Sequence, residues 1–348
     1  MRIIGCDLHA RQQTISMLEI ETGEVTEKVL AHEGETVREF YAALPKPVLV
    51  GLEATGSMFW FLRLLEELGI QYRVGHPAAI RKAETRKQKH DRRDAELIRR
   101  LLEQDRFPQI WLPTAEQRDL RTLLQHRHQL VRMRVMAQNG LQGLALSQGL
   151  RRGAKLWSQV GQQALESLPL AEYSRTRRQQ LQELRHELNQ RLQQLDQAVR
   201  EQVEQRSGAR RLLSHPGVGP ITALATEVFL GDARRFPNAK AVASYVGLIP
   251  SEHSSGGKQR NGSVSKQGNP LLRQLWVEAA RAAARKDARL KQFYRKKLVQ
   301  KGLGKAVVAT LTREVRDAGA VHLHISGLQV MGDRGEPAVQ AFDLEVRA

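Results

Sequence analysis

Apolar and polar positions alternate at the strand period over Arg2 to Leu8 and Thr14 to Ile20. Glu21-Thr22-Gly23-Glu24 reads as a turn and Glu24 to Leu30 as a third strand, so the chain opens with an antiparallel meander. The period then changes. Thr36 to Leu44 has helical spacing, Pro47 to Leu52 is an apolar strand ending at Glu53, Ser57 to Leu68 is an amphipathic helix and Gln71 to Val74 a short strand. Strands alternating with helices predict an α/β domain. From Ala78 to Glu103 the pattern is helical and strongly basic, until Phe107-Pro108 through Pro113 breaks it and sets a boundary near Pro113.

From Thr114 to about Arg206 two long helical stretches are expected, separated near Gly140 to Pro169. In the second, Leu181, Leu184, Leu188, Leu192, Leu195, Val199 and Val203 recur at steps of three and four, the seam of a coiled coil or helical hairpin that packs helix on helix within or between chains. A third region opens at Leu212 with an apolar helix from Ile221 to Phe229. A Gly- and Ser-rich loop, Pro250 to Gly268, follows, then a helix from about Pro270 to Arg285 and a basic segment to Lys301. From Asp317 helical periodicity is lost, and Val321 to Ile325 and Leu328 to Met331 read as short strands. The expected domains are 1–113, 114–206, 207–316 and a divergent tail, 317–348.

Composition narrows the function. Over 348 residues, 55 Lys+Arg against 37 Asp+Glu leave a formal charge of +18, which calls for a polyanionic partner. An anionic membrane surface would call for a basic anchor helix with exposed aromatics, and aromatics are only 5%, so nucleic acid leads. At 41% hydrophobic the chain can bury real cores, which argues against a wholly disordered basic protein. One cysteine excludes a disulfide framework and any multi-cysteine metal site. No apolar stretch spans a bilayer, and a cytoplasmic protein, neither exported nor membrane-spanning, is expected.

The strongest chemical constellation is acidic. Asp7 ends the first strand, Glu53 ends a later one, and Asp91 and Asp94 lie three apart on one helix face. Carboxylates at strand ends of an α/β sheet face the crevice beyond those ends, where a helix carrying two more closes a site of hard oxygen ligands suited to Mg²⁺ or Mn²⁺. Two such ions can activate a nucleophile and stabilise the leaving oxygen in phosphodiester cleavage. Arg81 to Arg100 holds nine Lys/Arg, which would draw phosphates to the same place. Each acid by itself reads as a cap or a surface ion pair; the four together carry the argument.

The Ser251-Glu252-His253-Ser254-Ser255-Gly256-Gly257-Lys258 loop lets a phosphate backbone approach closely, with Lys258, Arg260 and Lys266 supplying charge and Arg273 on the helix beyond. On its own it is a basic loop, in which a serine is a nucleophile only if a base or metal activates it. His215-Pro216-Gly217-Val218-Gly219-Pro220 looks like a helix-hairpin-helix turn, with Gly217 and Gly219 letting backbone N–H groups hold a phosphate, or like an ordinary connector. His126 and His128 cannot face one metal from a helix, and His322 and His324 lack a third ligand. Cys6, inside an apolar strand, reads as a buried structural thiol.

Gly5-Cys6-Asp7, Gly51-Leu52-Glu53-Ala54-Thr55-Gly56, Lys89-His90-Asp91-Arg92-Arg93-Asp94-Ala95, Pro216-Gly217-Val218-Gly219, Gly247-Leu248-Ile249-Pro250 through Gly257, and Ser265-Lys266-Gln267-Gly268 occur in an order that resembles the DEDD-type insertion-sequence transposases, also described as bridge-RNA-guided serine recombinases. The likeness covers about residues 1 to 312. It implies an N-terminal RuvC-like domain of the RNase H fold, a helical coiled-coil middle and a mainly α C-terminal transposase domain. It carries Mg²⁺ binding onto Asp7, Glu53, Asp91 and Asp94, and selects Ser255, with Ser254 as fallback, as the residue that forms a phosphoserine with DNA. A composite site pairing one protomer's acids with another's serine is implied, as are dimers assembling to tetramers on DNA and a structured noncoding RNA that chooses target and donor by base pairing. Such delegation accounts for a basic chain without a base-reading motif. The family usually continues with a further helix where this chain turns at Asp317 into unlike sequence, so a divergent, truncated or frameshifted copy with its catalytic residues intact is expected.

Without the resemblance, the residues rank a Holliday-junction-type metal nuclease first, a non-catalytic nucleic-acid scaffold second and a serine recombinase third. The resemblance puts the recombinase first.

Overall fold

The computed structural model of the protein describes residues 1–84, 91–150, 156–248, 250–252, 261–264 and 267–300. The chain divides into two compact units, the first Met1–Leu112 and the second beginning at Pro113.

The first unit is built on strands β1 (Arg2–Leu8), β2 (Gln12–Glu19), β3 (Val25–Ala31), β4 (Val48–Glu53) and β5 (Gln71–Gly75), ordered β3-β2-β1-β4-β5. The meander β1-β2-β3 is antiparallel, whereas β4 joins β1, and β5 joins β4, in parallel, as the helical crossovers require. The sheet is covered on both faces. Ile4, Cys6, Leu8, Val48, Val50 and Leu52 pack under helices α1 (Thr36–Ala42) and α2 (Phe59–Glu67), through Val37, Tyr41, Phe61, Leu62 and Leu65. The alternate positions, Ile3 and Leu49, meet Ile98, Leu101 and Leu102 of helix α4 (Asp91–Glu103) and Ile80 of helix α3 (Pro77–Ala83). Burying each such aliphatic side chain stabilises the layer by about 1.5–3 kcal/mol. This mixed sheet fits an RNase H-like domain. One expectation changes: the helical run from Ala78 does not continue unbroken to Glu103, because Glu84 is extended and ends α3.

The second unit starts with helix α5 (Ala115–Ser147), opened by a capping box between Thr114 and Gln117. It pairs with helix α7 (Glu172–Glu204) as an antiparallel hairpin within the chain, with Leu130 against Leu188 and Leu192, and with Arg127 2.5 Å from Asp196. The expected break near Gly140 is absent: α5 runs through it, and the missing side chain makes room for Leu181 of α7. Of the expected seam, Leu188, Leu192, Val199 and Val203 are buried, while Leu184 is 43% exposed.

Helices α8 (Ser207–Leu212), α9 (Pro220–Leu230), α10 (Ala239–Tyr245) and α11 (Pro270–Lys286) complete the second core with the Val199 and Val203 end of α7. Helix α9 is apolar on nearly all sides because α5, α7, α8 and α11 surround it. Arg121 donates to the Val228 and Phe229 carbonyls at its C-terminal end, and the Trp276 indole donates to Thr226 Oγ1 at 3.0 Å. The expected loop Pro250 to Gly268 is in part a hairpin of β6 (Pro250–Glu252) and β7 (Asn261–Val264), which the Gly/Ser composition concealed. The expected elements beyond Lys301 lie outside the described residues.

Candidate functional site

Strands β1 and β4 run side by side in register, with Gly5 opposite Gly51 and Cys6 opposite Leu52. One step on stand Asp7, the last but one residue of β1, and Glu53, the last of β4. By the period of two, both belong to the face of Ile3, Gly5, Leu49 and Gly51, which α4 covers. Helix α4 can approach because β1 offers a glycine there: a Cβ on Gly5 would collide with the Ala95 carbonyl oxygen and stand 2.5 Å from the Arg99 amide nitrogen. A Cβ on Gly51 would stand 2.5 Å from Leu102 Cδ1. Ala95 and Arg99 lie against Gly5, Ile98 and Leu102 lie against Gly51, and Ile98, Leu101 and Leu102 share a cluster with Ile3 and Leu49. Asp94 stands one residue before Ala95 on this helix. Asp91 is the first residue of α4; its side chain lies outside the described residues.

Asp7 is 15% exposed and its Oδ2 is 3.0 Å from His9 Nε2. Glu53, 26% exposed, has Arg81 of α3 at 3.8 Å, a loose pair on an exposed guanidinium. Below them Asp7 pairs with Thr14 of β2, which is buried, and Arg99 of α4 donates to Ser16 Oγ at 3.0 Å and to Glu103. Two residues after Glu53, Thr55 keeps its Oγ1 buried without a partner. On the opposite sheet face, burial and the neighbouring Asp7 charge push the Cys6 thiol well up, so it stays protonated, as a structural thiol should. His9, Arg81 and Arg99 were not singled out as site residues by sequence reasoning. His9 falls two residues after Asp7, the spacing of one strand face, and that was the available signal.

In the second unit Gly217 has φ +80°, and a Cβ there would strike the Ala279 backbone of α11, so this glycine is needed for packing. Gly219 is the N-cap of α9, with open space around it and no side-chain cap. Arg273 donates to the Val246 carbonyl at 3.2 Å at the end of α10. Ser254, Ser255, Lys258, Arg260 and Lys266 lie outside the described residues, in segments next to β6 and β7, which pair at Pro250–Val264 and Glu252–Asn261.

Residues 4–148 match the model of a DEDD transposase of the IS110 type, and residues 209–295 match the model described as transposase, IS116/IS110/IS902 family. A probable family 20 transposase of Pseudomonas aeruginosa is 34% identical over 258 residues, 72% of this chain and 75% of the relative. The transposase for insertion sequence element IS1111A of Coxiella burnetii is 31% identical over 273 residues, 75% and 73% of the two chains. The transposase for insertion sequence element IS1328 of Yersinia enterocolitica is 27% identical over 245 residues. The chain belongs to the IS116/IS110/IS902 family of transposases.

Transposases cut and rejoin DNA, and DEDD-type domains work with divalent metal ions. The residue types of this transposase suit such an ion: Asp7 and Glu53 carry hard carboxylate oxygens near the C-terminal ends of adjacent strands, Asp94 stands on the helix that covers the same sheet face, and Thr55 keeps an unspent hydroxyl. Among the described residues no three acidic, histidine or cysteine side chains are already drawn into a closed cluster. Asp7 is engaged with His9, and Glu53 faces Arg81. No helix among the described residues is long and apolar enough to cross a membrane.

Proposed function

We propose that this transposase cleaves and exchanges DNA strands through a covalent phosphoserine at Ser255, with Ser254 the fallback, and that Asp7, Glu53, Asp91 and Asp94 of a RuvC-like domain hold the Mg²⁺ or Mn²⁺ ions the reaction needs. The observation that carries the metal half is the placement of Asp7 and Glu53 near the ends of adjacent parallel strands, on the face where Gly5 seats the first turns of α4. The serine half is supported by the sequence of the loop after Gly247-Leu248-Ile249-Pro250 and by the family match over residues 209–295.

The ions supply charge neutralisation at the scissile phosphate and lower the barrier to nucleophilic attack. The Ser255 oxygen bonds to phosphorus as the bond from phosphorus to one deoxyribose oxygen breaks, and the proton that the serine hydroxyl loses is passed through solvent to the leaving oxygen, which departs as a strand-end hydroxyl. Attack by the hydroxyl of an incoming strand reverses the step and frees the serine. Lys258, Arg260, Lys266, Arg273 and the Gly217–Gly219 turn hold backbone phosphates. A structured noncoding RNA selects target and donor, and the working assembly is a dimer that pairs to a tetramer, pooling one protomer's acids with another's serine.

The test is incubation of the protein with its element-flanking RNA, Mg²⁺ and labelled target and donor DNA, followed by a denaturing gel. DNA attached to the wild-type protein and absent with Ser255→Ala supports the reading. Cleavage with no attached DNA replaces it with a water-using metal nuclease, and an adduct that persists in Ser255→Ala moves the nucleophile to Ser254.

A further inference from the structure

Arginines on the α5–α7 hairpin are mostly spoken for: Arg127 pairs with Asp196, Arg191 with Glu187, and Arg178 donates to the Leu165 and Glu166 carbonyls that end helix α6 (Gln159–Glu166). Arg134 of α5 and Arg185 of α7 differ. Neither makes an ion pair among the described residues, and Arg134's partner is an uncharged amide, Asn189 Oδ1 at 3.3 Å. The acids flanking Arg185 are turned elsewhere, Glu183 to Gln179 and Glu187 to Arg191. Both arginines are half-buried, and the Nε of each is shut from water without an acceptor. Arg185 also lies over the Trp157 ring, 4.6 Å from its centroid, which fixes the plane of its guanidinium. Burial and the charge of Arg134 hold the Arg185 pKa below its ordinary value, so the two like charges feel each other.

Arg134 reaches Asn189, one turn along α7 from Arg185 on the same helix face, so the two guanidiniums are neighbours without a carboxylate partner among the described residues. A doubly accepting anion relieves their repulsion, and a phosphate's oxygens match the guanidinium fork. We propose that Arg134 and Arg185, oriented by Trp157 and Asn189, form a clamp for one backbone phosphodiester of the nucleic acid on which this enzyme works. The hairpin then grips substrate as well as packing helix on helix. The inference rests on the chain's being a nucleic-acid enzyme and is independent of the nucleophile, because its readout is binding and not strand cleavage.

The test uses the full chain, a labelled DNA duplex and, separately, a single-stranded RNA, with affinity followed against KCl. For Arg134→Gln/Arg185→Gln, one lost phosphate contact lowers the magnitude of the log–log salt slope by about 0.9 for duplex or about 0.7 for single strands, and weakens binding about tenfold. Which of the two nucleic acids shows the change names the one held. Arg191→Gln on the same helix leaves the slope unchanged. Phenylglyoxal modification of the wild-type protein, mapped by mass spectrometry, gives a second readout that does not depend on how a variant folds: bound nucleic acid shields Arg134 and Arg185 and leaves Arg191 reactive. An unchanged slope with both nucleic acids, or no shielding of the pair, overturns the proposal. Loss of self-association with binding intact overturns it in favour of a contact with a second copy.

Discussion

A side chain on Gly5 would collide with the carbonyl oxygen of Ala95, so helix α4 rests on strand β1 backbone against backbone. This contact holds α4, the helix that carries Asp94, against the sheet face to which Asp7 and Glu53 belong. Gly5→Val therefore lifts α4, and Asp94 with it, from the sheet, costing about 1–3 kcal/mol of stability. DNA cleavage falls further than the lost stability explains; a variant with wild-type cleavage and an unchanged urea midpoint would remove the glycine seat from the account.

Asp7→Asn keeps a side chain of the same shape beside His9 but removes the charge that a divalent ion needs. Strand cleavage is expected to drop by at least about 100-fold, with DNA affinity equal to or above wild type because a negative charge has left a basic surface. Raising the Mn²⁺ concentration restores part of the rate. Equal cleavage by Asp7→Asn and wild type would make the aspartate structural.

Arg81 stands 3.8 Å from Glu53 and is well exposed, so Arg81→Gln hardly touches stability, by less than about 1 kcal/mol. Its loss frees Glu53 and takes a cation from beside the proposed metal site. The expected result is weaker DNA binding at fixed Mg²⁺ together with a lower Mg²⁺ requirement, read from a titration of cleavage against metal.

Burial pushes up both the Cys6 thiol and the Tyr41 hydroxyl, so the folded unit keeps protons that the unfolded chain releases near pH 9 and 10, the ordinary values of 9.0 and 10.0. This contribution to stability is complete below pH 9 and is lost as the pH rises, by up to about 1.4 kcal/mol per pH unit for each group. Thiol labelling of Cys6, the single cysteine, measured against urea should show a lower midpoint at pH 10 than at pH 7.5, and Tyr41→Phe should lessen the drop. A midpoint that holds or rises with pH contradicts the assignment.

The strand alternation and the acids near strand ends were legible from sequence because a period of two leaves little freedom: once β1 and β4 are strands, Glu53 closes β4 and Asp7 falls one residue before the end of β1. The seat for α4 was not legible. Gly5 stood in a recognised motif, but a glycine's role as an approach surface depends on what arrives, and Ala95 is ninety residues away. Gly140 misled in the opposite sense, since a helix tolerates a glycine when a neighbour such as Leu181 fills the space. The seam on α7 showed that it needed a partner, but only the fold shows that α5 of the same chain supplies it. Arg134 and Arg185 gave no sequence signal, because in so basic a chain an unpaired arginine is visible only after its neighbours have been paired off.

The central claim is a serine nucleophile, and it is tested most directly by digesting the protein after reaction with DNA and locating the attached nucleotide by mass spectrometry. A deoxynucleotide phosphate ester on Ser255 is the predicted result. Cleaved DNA with every peptide unmodified, or a nucleotide attached to a residue outside the Ser254-Ser255 pair, would contradict it.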